Sequence, residues 1–352
     1  MSGNDMEIRI SVLIPAYNSE RTIRATLDSV LAQTITPHEI IAVDDGSTDA
    51  TPGILKEYGP RVATFRQENG GVSTARNRLV AMARGDLIAF IDSDDLWHPR
   101  YLETQVGLFR RFPQAAALFV DHLNFSGFGD CDWGADGREV VADGERTVEL
   151  LEPLTFFRRF RAEPGPFVLS FGCIPKRVFD GMGPEPFKFR EAEDVYFCNL
   201  LTFNGPVVFA SAPPLAAYRI REGSLASNRL KCTEAEVQVY ELLEARYEQA
   251  GDAILLAEFR KTFASKRRGL AKIQLGTGNT TAARRQLRAS FIDTRDLASW
   301  AKSLALLSAS YLPRTLQPAW PSLERQWKPA ATAVKHGADH GSSQTEILNG
   351  IR

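Results

Sequence analysis

Residues 87–95 read Leu-Ile-Ala-Phe-Ile-Asp-Ser-Asp-Asp, an apolar run that stops at three carboxylates within four positions. An apolar run this short, preceded by Gly85 and followed by polar residues, is the pattern of a buried strand. Carboxylates held close together at a strand's end repel one another unless a cation or solvent compensates. A hard divalent ion with oxygen ligands is the natural partner. Such an ion can bridge two phosphates and take up the charge on a departing diphosphate. The competing reading is a solvated turn that N-caps a helix starting near Pro99.

Upstream, short apolar runs alternate with helical patterns, which is the signature of a mostly parallel sheet. Ile10 to Ile14 reads as a strand ending at Pro15, and Ile23, Leu27, Val30 and Leu31 fall on one helix face. A second strand, Glu39 to Val43, runs into Asp44-Asp45-Gly46-Ser47-Thr48-Asp49. Residues 61–66 read as a third strand. The turn Asn69-Gly70-Gly71 then opens a helix from about Ser73, which Gly85 closes in the C′ position. The order β-α-β-α-β-α-β places three polar clusters at the carboxyl ends of strands, where open α/β sheets bind ligands.

Each cluster has its own chemistry. Ser47 and Asp49 suit a helix cap and Gly46 a tight turn, but a cap needs one carboxylate and leaves the Asp44-Asp45 pair to be explained. A carboxylate there can accept hydrogen bonds from a ribose or a base. Gly70 and Gly71 let the backbone approach a ligand, and the helix N-terminus that follows favours anions. Arg76 and Arg78, in its first turns, have the reach to meet a diphosphate or a base edge.

Together these blocks form a recognisable set. Ser11-Val-Leu-Ile-Pro15-Ala16-Tyr17-Asn18, Val43-Asp-Asp-Gly-Ser-Thr-Asp49, Asn69-Gly-Gly-Val-Ser-Thr-Ala-Arg76-Asn77 and Asp92-Ser-Asp-Asp95-Leu-Trp97 resemble glycosyltransferase family 2, in the family's order and spacing. The resemblance covers about residues 8–225. It implies the GT-A fold and an inverting transfer from a nucleotide diphosphate sugar, a UDP-sugar by the family's commonest usage, with Mn²⁺ or Mg²⁺. By position it implies that Pro15, Ala16 and Tyr17 line the nucleobase pocket, that Asp44 holds the base or ribose, and that Arg76 flanks the nucleoside. Asp45, Gly71 and Ser93 join this donor-binding set. Asp92 and Asp94 are the implied DxD pair, with Asp94 the direct metal ligand and Asp92 nearer the ribose. Tyr17 is read as stacking on the base and Trp97 as packing in the core.

Glu191-Ala-Glu193-Asp194 resembles the family's Glu-Asp motif, whose aspartate is the catalytic base, here Asp194. Taken alone, the same four residues read as a solvated helix start, because acids suit a first turn. The chain departs from the family in Tyr218-Arg219-Ile220-Arg221, where many members carry a histidine near the metal or diphosphate. Arginine cannot ligate a metal but grips a diphosphate bidentately. Arg221 is therefore read either as a diphosphate clamp or as a surface arginine without a role.

Composition sets outer bounds. A hydrophobic fraction of 44% with 24% charged residues is globular. The four cysteines form no CxxC pair, the first residues lack a secretory pattern, and no uncharged apolar run reaches the roughly 18 residues of a spanning helix. These features predict a cytoplasmic protein, at the inner face of a membrane if it touches one. The net charge of −1 hides an asymmetry, since residues 251–330 hold 14 Lys and Arg against 5 Asp and Glu.

The expected fold is α/β, with a GT-A catalytic domain over 1–230, a helical region over 231–330 broken at Gly276-Thr-Gly-Asn279, and a disordered tail over 331–352. Residues 121–165, rich in Gly, Asp and aromatics, read as loops on the acceptor side. The basic helices with Leu297 to Leu316 and Trp300 read either as a packed appendage or as peripheral membrane contact. Nucleic acid is not an expected partner, because no aromatic platform accompanies the basic residues. The expected acceptor is a glycan or lipid-linked hydroxyl in cell-envelope or exopolysaccharide synthesis. Two other functions fit parts of the pattern. A nucleotidyltransferase would use the same crevice, although Pro15-Ala-Tyr-Asn18 stands where its phosphate loop belongs, and an inactive scaffold would keep the nucleotide-sugar site without turnover.

Overall fold

In the computed structural model, residues 7–128, 131, 147–163, 165–211, 213–220, 228–293 and 296–312 are described, together with the backbone of 346–347. The chain divides into two compact units. One takes in the chain to Lys188 and again from Phe197 through the last sheet strands, while the other takes in Phe189–Tyr196 and the C-terminal helices.

The first unit is built on the expected alternation. β1 (Ile10–Ala16), α1 (Ile23–Leu31), β2 (Glu39–Asp44), α2 (Thr51–Glu57), β3 (Ala63–Arg66), α3 (Val72–Met82) and β4 (Leu87–Phe90) follow one another. β1 pairs in parallel with both β2 and β4, and β2 with β3, so the strands lie side by side as β4-β1-β2-β3. Seven consecutive buried residues in β1 and four in β4 explain their apolar sequences, since a parallel sheet is covered on both faces. Ile23, Leu27 and Val30 of α1 are fully buried, as their spacing predicts.

Two local expectations are corrected. Pro15 does not end β1; the strand continues through Ala16, which stands opposite Asp44. Proline's fixed φ fits an extended chain and costs only one donor. Gly85 does not close α3 either, because the helix ends at Met82 with Ala83 as its cap. A Cβ on Gly85 would lie 2.6 Å from the Ser11 amide nitrogen, so this glycine serves the close approach of the chain to β1.

After β5 (Leu96–Trp97) and α4 (Tyr101–Arg111), the chain adds β6 (Ala117–Val120) and β7 (His122–Phe125). β8 (Thr147–Leu151), α5 (Pro153–Ala162), β9 (Gly172–Pro175) and α6 (Lys176–Met182) follow, then α7 (Glu193–Leu201), β10 (Val207–Ser211) and β11 (Ala216–Arg219). With β12 (Glu346–Ile347), the main sheet has nine strands among the described residues, in the order β12-β8-β10-β6-β9-β4-β1-β2-β3, and a second sheet runs β5-β11-β7. Residues 121–165, read as loops, in fact contain β7, β8 and α5. Strands of four or five residues are too short to show a period, and the phenylalanines of α5 (156, 157 and 160) are buried on one face. Of the expected tail over 331–352, Glu346–Ile347 form β12, antiparallel to β8; the rest lies outside the described residues.

In the second unit, α8 (Arg229–Gln249), α9 (Ala253–Gly276), α10 (Thr280–Ile292) and α11 (Leu297–Ala309) follow in series. Asn228, Asp252, Asn279 and Asp296 each accept a backbone N–H at a helix start. The break falls where expected, with Gly278 at a φ of 86° and Asn279 capping α10. Tyr240, Tyr247, Phe259 and Phe263 stack between α8 and α9.

Candidate active site at the carboxyl ends of the strands

Because β4, β1 and β2 are adjacent and parallel, the segments that leave them emerge side by side. Side-chain hydrogen bonds tie these segments into one surface. The Ser19 and Ser93 hydroxyls lie 2.6 Å apart, and Thr22 Oγ1 donates to the Ser93 carbonyl at 2.8 Å. The Asn18 amide donates to Ser47 Oγ at 2.9 Å, and the Thr48 amide donates back to Asn18 Oδ1. Asn18 holds a φ of 46°, a left-handed conformation that asparagine tolerates better than most residues. Ser47 therefore spends its oxygen on the neighbouring loop, and it is Asp49 that accepts the Thr51 amide at the start of α2.

The Asp44-Asp45 pair is explained residue by residue. Asp44 is buried, accepts the Ser47 amide at 2.9 Å and lies 3.3 Å from the Arg66 Nε. Asp45 spends both oxygens on the glycine turn: Oδ1 accepts from the Gly70 amide at 2.9 Å and from Gln67 Nε2 at 2.7 Å, and Oδ2 accepts from the Gly71 amide at 2.8 Å. The turn in which Asp45 stands is equally constrained. Gly46 has a φ of 78°, and a Cβ on it would meet the Asn69 amide nitrogen at 2.8 Å. Gly71, with a φ of 84°, then leads directly into α3.

The acidic cluster is not a helix cap. α4 starts at Tyr101 behind Arg100, and none of the three carboxylates appears among its cap bonds. Asp92 and Asp94 are partly exposed, whereas Asp95 is buried. Arg76, almost wholly buried in α3, donates from Nη2 to Asp92 Oδ1 at 2.7 Å, so the third block grips the fourth. Burial, with repulsion from Asp94 and Asp92 behind it, pushes the Asp95 carboxyl well above the usual carboxylate range.

Two supporting residues were not singled out by the sequence. Arg219, fully buried at the end of β11, donates from Nε to the Asp94 carbonyl at 2.7 Å and from Nη1 to the Gly127 carbonyl. Its own amide donates to Asp95 Oδ1 at 3.1 Å, and its guanidinium lies 4.3 Å from the Phe125 ring centroid. Arg219 thus clamps the acidic turn to the second sheet. The other is Asn77, whose side chain makes a reciprocal pair with the Phe187 backbone at 2.8 and 3.0 Å. It fixes the segment that precedes the Glu191-Ala-Glu193-Asp194 motif. No sequence signal separates Arg219 from Arg221 beyond its place in an alternating strand.

The remaining expected residues fall as follows. Pro15 and Ala16 close β1, and Tyr17 beyond them is 48% exposed. Trp97 is core: it is buried, stacked on Tyr101 at 4.1 Å between centroids, and donates from Nε1 to the Ser170 carbonyl at 2.7 Å. Arg221 lies outside the described residues. Asp194 stands in the other unit, in the first turn of α7, where its Oδ1 accepts the Val195 amide at 2.7 Å. The acids of that motif also sit close to α8. Burial first, and then Glu236, Glu191, Asp194 and Glu193, push the Cys232 thiol up.

Residues 11–162 match the model of glycosyl transferase family 2. That stretch of the chain is a family 2 glycosyltransferase domain. Glycosyltransferase GlyA of Streptococcus pneumoniae serotype 4 is 31% identical over 62% of the chain, which spans 31% of GlyA's own length. The Escherichia coli enzyme WfgD, a UDP-Glc:α-D-GlcNAc-diphosphoundecaprenol β-1,3-glucosyltransferase, is 27% identical over 63% of the chain and 81% of WfgD. Among solved structures, S. aureus TarS 1–349 in complex with UDP-GlcNAc superimposes with a TM-score of 0.67 at 20% identity, covering 86% of this chain and 90% of TarS 1–349. The shared fold is GT-A, and this family 2 member carries it with a helical C-terminal region.

Whether this chain's residues suit a divalent metal follows from their chemistry. Asp92 and Asp94 offer oxygen donors on one turn, and among the described residues no group of three His, Cys, Asp or Glu side chains converges. Two carboxylates fit a hard cation that takes its other ligands from phosphate and water.

Proposed function

We propose that this family 2 member moves a sugar from a nucleotide diphosphate donor, most simply a UDP-sugar, to a hydroxyl of a glycan or lipid-linked acceptor, with inversion at the anomeric carbon. The observation that carries the reading is the stitched surface over β4, β1 and β2, where Arg76 holds Asp92 and Asp45 holds the glycine turn. UDP-GlcNAc in TarS and the UDP-glucose named for WfgD support a uridine donor. WfgD's diphosphoundecaprenol acceptor supports a lipid-linked one, in cell-envelope polysaccharide synthesis. An enzyme meeting such an acceptor works at the cytoplasmic face of a membrane; no described helix is long and apolar enough to cross one.

In this reading Pro15, Ala16 and Tyr17 form the wall of the base pocket, with the exposed Tyr17 ring stacking on the base. Asp44 accepts from the base or ribose. Asp45 acts through the turn it fixes, presenting the Gly71 backbone and the start of α3 to the donor. Asp92, with Ser93 between it and Asp94, is oriented by Arg76 toward the ribose. Asp92 and Asp94 would hold Mn²⁺ or Mg²⁺, which supplies charge neutralisation at the diphosphate when bound. Arg221 is assigned to the diphosphate as a second cation.

Asp194 is the base. It removes the acceptor hydroxyl proton as that oxygen bonds to the anomeric carbon, while the bond from that carbon to the diphosphate oxygen breaks and its electron pair leaves with the nucleoside diphosphate. A positioned carboxylate contributes on the order of 10²–10⁴-fold to such a step. The test is incubation with a panel of nucleotide sugars, with and without Mn²⁺, following the released nucleotide. Nucleoside diphosphate release supports the reading. Pyrophosphate release would assign a nucleotidyltransferase, and donor binding without any turnover would assign a scaffold.

A further inference from the structure

Helix α11 in the second unit packs Leu306 and Leu307 on the apolar cluster of α9 and α10, and buries hydroxyls beside them. The side it turns to α9 and α10 carries Ser299 and Ser303, both buried. Arg268 of α9, also buried, donates from Nη1 to Ser303 Oγ at 3.2 Å and to the Ser299 carbonyl at 3.3 Å. The Ser290 hydroxyl of α10 lies 2.8 Å from that of Ser303. An adjoining side carries Leu297, Trp300 and Leu304, which are 83%, 45% and 43% exposed, with the Trp300 ring edge-on to Phe291 of α10 at 5.2 Å between centroids. Spacings of three and four residues place these three on one stripe. Just beyond it stand Tyr311 and Leu312, 55% and 45% exposed, with Tyr311 gripped by Arg284 and Arg288. A helix facing only water would carry the reverse pattern. Scattered exposed apolar residues are ordinary, but a contiguous stripe marks an interaction surface.

Charge decides the partner. Lys261 of α9 and Lys302 of α11 are exposed, and both lie near enough to Asp296, at the start of α11, to help hold its carboxyl low behind the bonds from Ser299. Arg285 on α10 is exposed as well. Cations near the start of a helix that exposes leucines and one tryptophan match an anionic lipid surface, where the indole settles at the headgroup level and the long lysine stems reach the phosphates. We propose that α11 is a membrane-docking helix, which seats Leu297, Trp300 and Leu304 in the interface of an anionic bilayer with Lys261 and Lys302 on the headgroups. The proposal stands independently of the donor chemistry.

Co-sedimentation of the full chain with phosphatidylcholine vesicles containing about 30% phosphatidylglycerol tests it, against vesicles of phosphatidylcholine alone. The full chain should pellet with the anionic vesicles and lose that binding as salt rises. L297S/W300S/L304S should weaken binding tenfold or more with circular dichroism unchanged, and L297S alone, at the most exposed of the three positions, should weaken it with thermal melting unchanged as well. K261Q/K302Q should weaken it about tenfold on anionic vesicles while leaving the neutral ones unaffected. Retained binding in the triple variant would overturn the proposal. So would failure of the full chain to pellet together with a concentration-dependent dimer that the triple variant abolishes, since the stripe would then belong to a second copy.

Discussion

The two units bury polar groups in opposite ways. In the sheet unit the buried charges Asp44, Asp45, Asp95 and Arg219 sit at or just beyond strand ends and Arg76 sits in α3, each tied to a neighbouring loop. In the helical unit Arg268, Ser290, Ser299 and Ser303 sit between helices, and Leu297, Trp300 and Leu304 of the same α11 are exposed. The first arrangement stiffens a concave surface where a charged ligand is to be held; the second turns a helix face outward. Burial of a polar group thus points to function in both units, but to a pocket in one and a docking surface in the other.

Several substitutions would break or sharpen this contrast. Asp194→Asn should reduce turnover by about 10²–10⁴-fold while donor binding, followed by calorimetry, is kept; unchanged turnover would remove the base from α7. Arg219→Ala, which strips the Asp94 and Gly127 carbonyls of a buried donor while leaving the amide that Asp95 accepts, should cost about 2–4 kcal/mol in denaturant unfolding and lower activity with it. An exposed arginine in its place would cost almost nothing.

In the helical unit, burial against the pull of Arg267 pushes Asp293 up to about 6. The folded chain then keeps a proton that the unfolded chain releases, so stability falls as the pH rises from the ordinary carboxylate range through about 6. Melting curves of the wild type and Asp293→Asn across that window should diverge with rising pH, by on the order of 2 kcal/mol. Smallest is Ser303→Ala, expected to cost about 1 kcal/mol and to leave turnover on a soluble acceptor unchanged. A large loss of turnover there would tie α11 to the chemistry rather than to a surface.

The alternation of strands and helices over the first 90 residues, the adjacency of the motif ends and the helical C-terminal region with its break at Gly276-Thr-Gly-Asn279 were legible in the sequence. Period, turn chemistry and capping are local signals, written in a few neighbouring residues. Tertiary structure alone decided that Asp45 serves the glycine turn, that Arg219 attends the acidic cluster, and that β7, β8 and α5 occupy a stretch without a period. It also decided which face of α11 is buried. Apolar spacing marks a stripe on a helix, but whether that stripe turns inward depends on partners such as Arg268, which lies 31 residues before Ser299 in the chain and meets it only after the helices have packed.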